Sequence, residues 1–128
     1  MEAVSIVILL ALLEYQVFAG LVGRARRQYG VKAPAITGHP QFERIFRVHQ
    51  NTLESLIVFV PAVWIFGLYV SVLWATVLGA LFIVSRIVYA VGYVRAAEQR
   101  GLGAGLSGLT MAVLVLGSLI GLGLTLVR

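Results

Sequence analysis

No cysteine occurs anywhere in the 128 residues. Disulfides, cysteine-held metals and a cysteine nucleophile supplied by the protein are therefore excluded together. Charge is almost as scarce: 12% of residues carry it, against 60% hydrophobic residues and a mean hydropathy of +0.98. Soluble domains do not have that composition. Apolar runs leave no room for a soluble domain beside them, so residues 1–128 read as one polytopic membrane unit. A basic n-region is also missing, since the chain opens on Glu2; the first apolar run is expected to be a retained span, not a cleaved signal peptide. Only five acidic residues offset ten basic ones. The cations lie at the ends of apolar runs, which marks them as topology signals and site residues and excludes a nucleic-acid partner.

What is present is apolar sequence in long blocks. The first block ends in the basic segment RARRQYGVKAPAITGHP, with loop signals at Gly30, Pro34, Gly38 and Pro40. The last follows the glycine-rich GLGAG at 101–105. Between them, residues 56–85 form one apolar stretch. As a single helix it would be about 45 Å long, against a hydrocarbon core of about 30 Å. Two helices with a tight turn near Val70–Ser71 fit better. The expected spans are about 3–27, 41–69, 72–99 and 104–127, which makes an all-α membrane protein built as a four-transmembrane-helix bundle. Connections 1–2 and 3–4 then share one side and hold Arg24, Arg26, Arg27, Lys32, Arg44, Arg47, Arg95 and Arg100, whereas the 2–3 turn holds no charge. The positive-inside rule makes that side cytoplasmic and puts both termini opposite.

Polar residues recur where the bilayer should exclude them. In FERIFRVHQNTLE (42–54), Arg44, Arg47, Asn51 and Glu54 fall on one stripe of a helix. In SRIVYAVGYVRAAEQR (85–100), Arg86, Tyr89, Tyr93 and Arg100 fall within about 60° of one another if the helix continues to Arg100. Snorkelling explains Arg24 and Arg95. It does not explain Asn51, Glu54 and Arg86, because ionisable groups at membrane depth are costly unless they pair or line a polar cavity. Two matching stripes at the cytoplasmic end of a bundle would line such a cavity. Surplus arginine suits carboxylates, Glu54 suits an ammonium group, and the tyrosines add hydroxyls and ring faces. A small zwitterionic peptide satisfies that inventory.

With GRARRQYGV ahead of them, these two motifs resemble the MAPEG family, the membrane-associated proteins in eicosanoid and glutathione metabolism. The similarity runs through all four spans. It implies a homotrimer of four-helix subunits, in the bacterial inner membrane or the endoplasmic reticulum. Glutathione would bind as cosubstrate between subunits at the cytoplasmic side, without a metal. Carried over by motif, Arg47, His49, Asn51 and Glu54 would bind the tripeptide from the second helix. Arg86, Tyr89 and Tyr93 would do so from the third, and Arg26 from the end of the first. Arg100 matches the arginine that stabilises the thiolate, and Arg27 one that assists near the lipid substrate. Ser55 departs from the pattern, standing where one branch of the family has a tyrosine. The implied activity is a glutathione transferase, with peroxidase reduction as a variant, acting on lipophilic electrophiles that arrive from the surrounding membrane lipids.

Glu14, mid-span in LLALLEYQVFAG, is left over. It reads as a buried carboxylate paired with Arg86 or hydrogen-bonded to a neighbouring helix. A membrane glutamate in the first of four spans also suits a small multidrug antiporter, and a non-catalytic lipid-binding relative is a further alternative. Gly117 and Gly121 form a GxxxG in the fourth span, serving packing inside the subunit or around a trimer axis.

Overall fold

The computed structural model describes residues 1–128. Four long helices account for nearly all of them: α1 (Glu2–Tyr29), α2 (Pro40–Tyr69), α3 (Val72–Arg95) and α4 (Gly101–Leu126), with a 3₁₀ turn at Ala97–Arg100 before α4. Each helix is long and apolar enough to cross a membrane, which makes this an integral membrane protein with four spans. Only 28 of 128 residues are buried, and Leu9, Leu73 and Leu116 are each more than half exposed. An outward apolar surface of that extent has lipid, not water, as its solvent.

The ends follow local chemistry. α1 closes at Gly30, whose N–H bonds back to the Arg26 carbonyl. α2 starts with Pro40 at its first turn and His39 as cap, Nδ1 accepting from the Gln41 N–H at 3.1 Å. The expected hairpin is there: Val70 ends α2, and the Ser71 hydroxyl accepts from the Trp74 N–H at 3.2 Å to open α3. At the other end α3 stops at Arg95, short of the expected 99, because Ala96 is extended. The chain then folds back so tightly that a Cβ on Gly92 would lie 2.5 Å from the Gln99 carbonyl oxygen. Only glycine admits that return. It also brings α4 in at Gly101, earlier than the expected 104.

α2 packs against the other three helices, whereas α1 and α4 have at most marginal contact. The main core joins Val4, Val7 and Ala11 to Phe59, Val63 and Phe82, with the Phe59 and Phe82 rings stacked at 3.9 Å. The GxxxG is used inside the subunit. A Cβ on Gly117 would meet the Phe66 ring at 2.5 Å, and one on Gly121 would meet Val70 at 2.7 Å, so the motif seats α4 on the end of α2.

Candidate functional site

At the end of the bundle that carries the 30–39 loop and the 3₁₀ turn, the helices part around a cavity of about 360 Å³. Arg47, Asn51 and Glu54 line it from α2, and Tyr89 and Tyr93 from α3. Arg100 and Ala104 complete the wall at the start of α4. The two polar stripes therefore face one space. Arg100 arrives by a different route from the one its spacing suggested. It is not on an extended α3 but at the end of the 3₁₀ turn, with its guanidinium carbon 5.8 Å from the centre of the Tyr93 ring. Tyr93 in turn stacks on Tyr89 at 5.8 Å.

Arg86 is not part of the wall. It is 1% exposed and lies behind the cavity, inside the bundle. Its Nη2 donates to Asn51 Oδ1 at 2.8 Å and Thr52 Oγ1 at 3.1 Å, its Nη1 donates to Ser107 Oγ at 3.3 Å, and its guanidinium lies 4.3 Å over the Tyr89 ring. Because Asn51 spends its carbonyl oxygen on Arg86, its amide donors are what remain for the cavity. Arg86 thus sets the orientation of one wall residue and supports the ring of another. Thr52, Ser85 and Ser107 were not singled out from the sequence, yet the three hydroxyls form the seat around it, Ser85 bonding Ser107 at 2.8 Å. The signal that pointed to Arg86, polarity at membrane depth, applies to them too, at lower strength.

The expected pairing of Glu14 with Arg86 is not made. Every hydrogen bond of Arg86 goes to a neutral group, and both Glu14 carboxylate oxygens are buried without a partner. Arg86 is turned instead to Asn51 and Thr52 of α2 and Ser107 of α4.

Three other candidate residues lie outside this subunit's cavity. Arg26 clamps the loop after α1, donating to the Ala35 carbonyl at 2.7 Å and lying 4.9 Å over the Phe42 ring. Arg27 is exposed. His49 projects toward α1 and stacks on Tyr15 at 4.5 Å, its ring nitrogens unpartnered. Arg44, on the same stripe as Arg47, reaches the last carbonyls of α3, Val94 at 3.5 Å and Arg95 at 3.4 Å. Ser55 is buried beside Glu54 and does not reach the wall.

The model of the MAPEG family matches residues 4–120. The chain belongs to this family. Among curated relatives, microsomal glutathione S-transferase 2 of Homo sapiens is 41% identical over 120 residues, 93% of this chain and 80% of the relative. Leukotriene C4 synthase of Bos taurus is 36% identical over 94 residues, covering 73% and 63%. An uncharacterized protein of Synechocystis sp. is 45% identical over 116 residues, covering 91% and 85%. Membership in this family sets aside the antiporter reading of Glu14.

Proposed function

We propose that this protein is a membrane-bound glutathione transferase that joins the glutathione thiolate to lipophilic electrophiles, or reduces peroxides with it, in a homotrimer. The observation that carries the reading is the cavity wall. Two guanidinium groups, one carboxylate, one amide and two phenols converge on about 360 Å³. Glutathione has two carboxylates, one ammonium group and a thiol: Arg47 suits a carboxylate, Glu54 the ammonium, and Arg100 the sulfur once ionised, with the Asn51 amide and the two phenols as further donors. Relatives bearing the name glutathione S-transferase support the same assignment.

The chain has no thiol, so the nucleophile must come with the cosubstrate. A free thiol ionises near pH 8.5, and a fixed positive charge beside sulfur favours the thiolate. Arg100, held over Tyr93 at the mouth of the cavity, supplies that charge without losing a proton of its own. The thiol proton leaves to water. Sulfur then forms the new bond to the electrophilic carbon, and the leaving group departs with its electron pair. In an addition the displaced pair is protonated from water instead.

In this reading Arg26, Arg27 and His49, which do not line their own subunit's cavity, are supplied to it by a neighbouring subunit. They lie on α1 and on the side of α2 that faces α1, opposite the cavity stripe. The test is to titrate glutathione into purified protein and watch for thiolate absorbance in the ultraviolet, then to assay turnover of a chromogenic electrophile. Thiolate formation with turnover is expected. Binding without turnover would favour a non-catalytic relative, and no binding would refute the proposal.

A further inference from the structure

A buried arginine bonded only to neutral groups and a buried carboxylate bonded to nothing occur in the same layer of this bundle. On α1, Glu14 lies between Ala11, which packs in the main core with Phe82, and Phe18, which packs with Tyr89. On α3, Arg86 lies between those same two residues, Phe82 and Tyr89. The two charged groups therefore lie at one depth, seven residues beyond the close approach of Val7 to Gly79 on the same two helices. Neither reaches lipid or open water: Arg86 is 1% exposed and both Glu14 oxygens are covered. An isolated charge at this depth is costly, and a counter-charge at the same depth offsets part of that cost without a hydrogen bond where screening is weak.

We infer that Glu14 is a positioning residue for the ligand cavity, acting as the counter-charge that keeps Arg86 inside the bundle, where it orients Asn51 and supports Tyr89. The inference rests on the glutathione reading for the ligand and on the structure for the linkage. With Glu14 neutral, the nearest place for an unbalanced guanidinium to find water or an anion is the cavity. Moving there breaks the 2.8 Å bond to Asn51 Oδ1 and the bonds to Thr52 and Ser107. Asn51 is then free to turn its carbonyl oxygen toward the ligand carboxylates, and Tyr89 loses the cation over its ring. α1 contributes no residue to this cavity wall, so Glu14 acts on the site from outside it, through Arg86.

The experiment uses the full chain in detergent with Glu14→Gln, Arg86→Gln and the double variant. Thermal unfolding is measured for each, together with the affinity for S-methylglutathione, whose thiol is blocked. If Glu14 balances Arg86, the double variant loses less stability than the two single losses added. Folded protein from the double variant where Arg86→Gln alone is lost counts as the same coupling. Glu14→Gln should weaken S-methylglutathione binding about tenfold, within the range of couplings between residues of one polar network. It should raise KM for glutathione while leaving kcat at saturation within about twofold, whereas a merely structural defect lowers kcat with the amount of folded protein. Glu14→Asp should recover part of the affinity. Additive stabilities, or wild-type affinity in Glu14→Gln, would overturn the inference. Wild-type protein that does not bind S-methylglutathione would overturn the glutathione reading instead, and the unfolding cycle would still decide whether Glu14 holds Arg86.

Discussion

Arg100 shows how much of the chemistry rests on the placement of one charge. It ends the 3₁₀ turn that Gly92 permits, so the backbone delivers it to the cavity and its guanidinium stands over the Tyr93 ring. Arginine keeps its proton at any working pH, so what can titrate beside it is the bound thiol. A cation favours the thiolate and lowers the thiol pKa; removing it raises that pKa, and activity is lost on the neutral side and returns as pH rises. Arg100→Ala should therefore cut turnover steeply near pH 7 and be partly rescued at high pH, each pKa unit corresponding to about 1.4 kcal/mol. Glutathione should still bind, since Arg47, Asn51 and Glu54 remain in the wall. Ultraviolet titration of the bound thiol checks this; an unshifted titration in the variant would place thiol activation elsewhere. Lysine at the same position should restore part of the effect, keeping charge but losing the planar fork.

At the scale of elements, the informative contacts are those where helices come close enough to exclude a side chain. Gly117 and Gly123 are both in α4, yet an added Cβ meets the Phe66 ring at 2.5 Å in one case and nothing within 4 Å in the other. Alanine favours the helix intrinsically at either position, by roughly 1 kcal/mol. At Gly117 that gain should be overcome by the shift forced on the Phe66 ring and the backbone around it, for a net loss of about 1–2 kcal/mol. Gly117→Ala is accordingly expected to lower the unfolding midpoint in detergent, and Gly123→Ala to leave it unchanged or raise it. Equal responses would mean that α4 does not sit on α2 through this motif.

For the whole molecule, the division of polar residues between two surfaces is what a shared site would require. Arg47 lines its own subunit's cavity, whereas Arg26 stands over Phe42 away from it. If neighbouring copies complete each other's sites, Arg47→Ala and Arg26→Ala disable different halves. Coexpression of the two variants should then assemble some sites with both arginines intact and restore part of the activity that each lacks alone. The purified protein should run as a trimer. A fully active monomer, or no recovery on coexpression, would remove the shared-site model.

Four spans, the hairpin at Val70–Ser71 and the two polar stripes were legible in the sequence by itself. A bilayer forces backbone polar groups to be satisfied within each helix, and helical periodicity then assigns every residue a face. That same periodicity puts His49 about 160° around α2 from Asn51, away from the cavity stripe; its candidacy came from family resemblance alone. What periodicity does not encode is how closely two helices approach and where a helix stops. The end of α3 at Arg95 depends on the chain folding back onto Gly92, and this route delivers Arg100. Whether Arg86 lines the cavity or stands behind it depends on Thr52 and Ser107 arriving from two other helices. The missing bond between Glu14 and Arg86 likewise depends on the groups of α2 and α4 that take up the Arg86 donors. Residues far apart in sequence set those distances, so only the tertiary structure decided them.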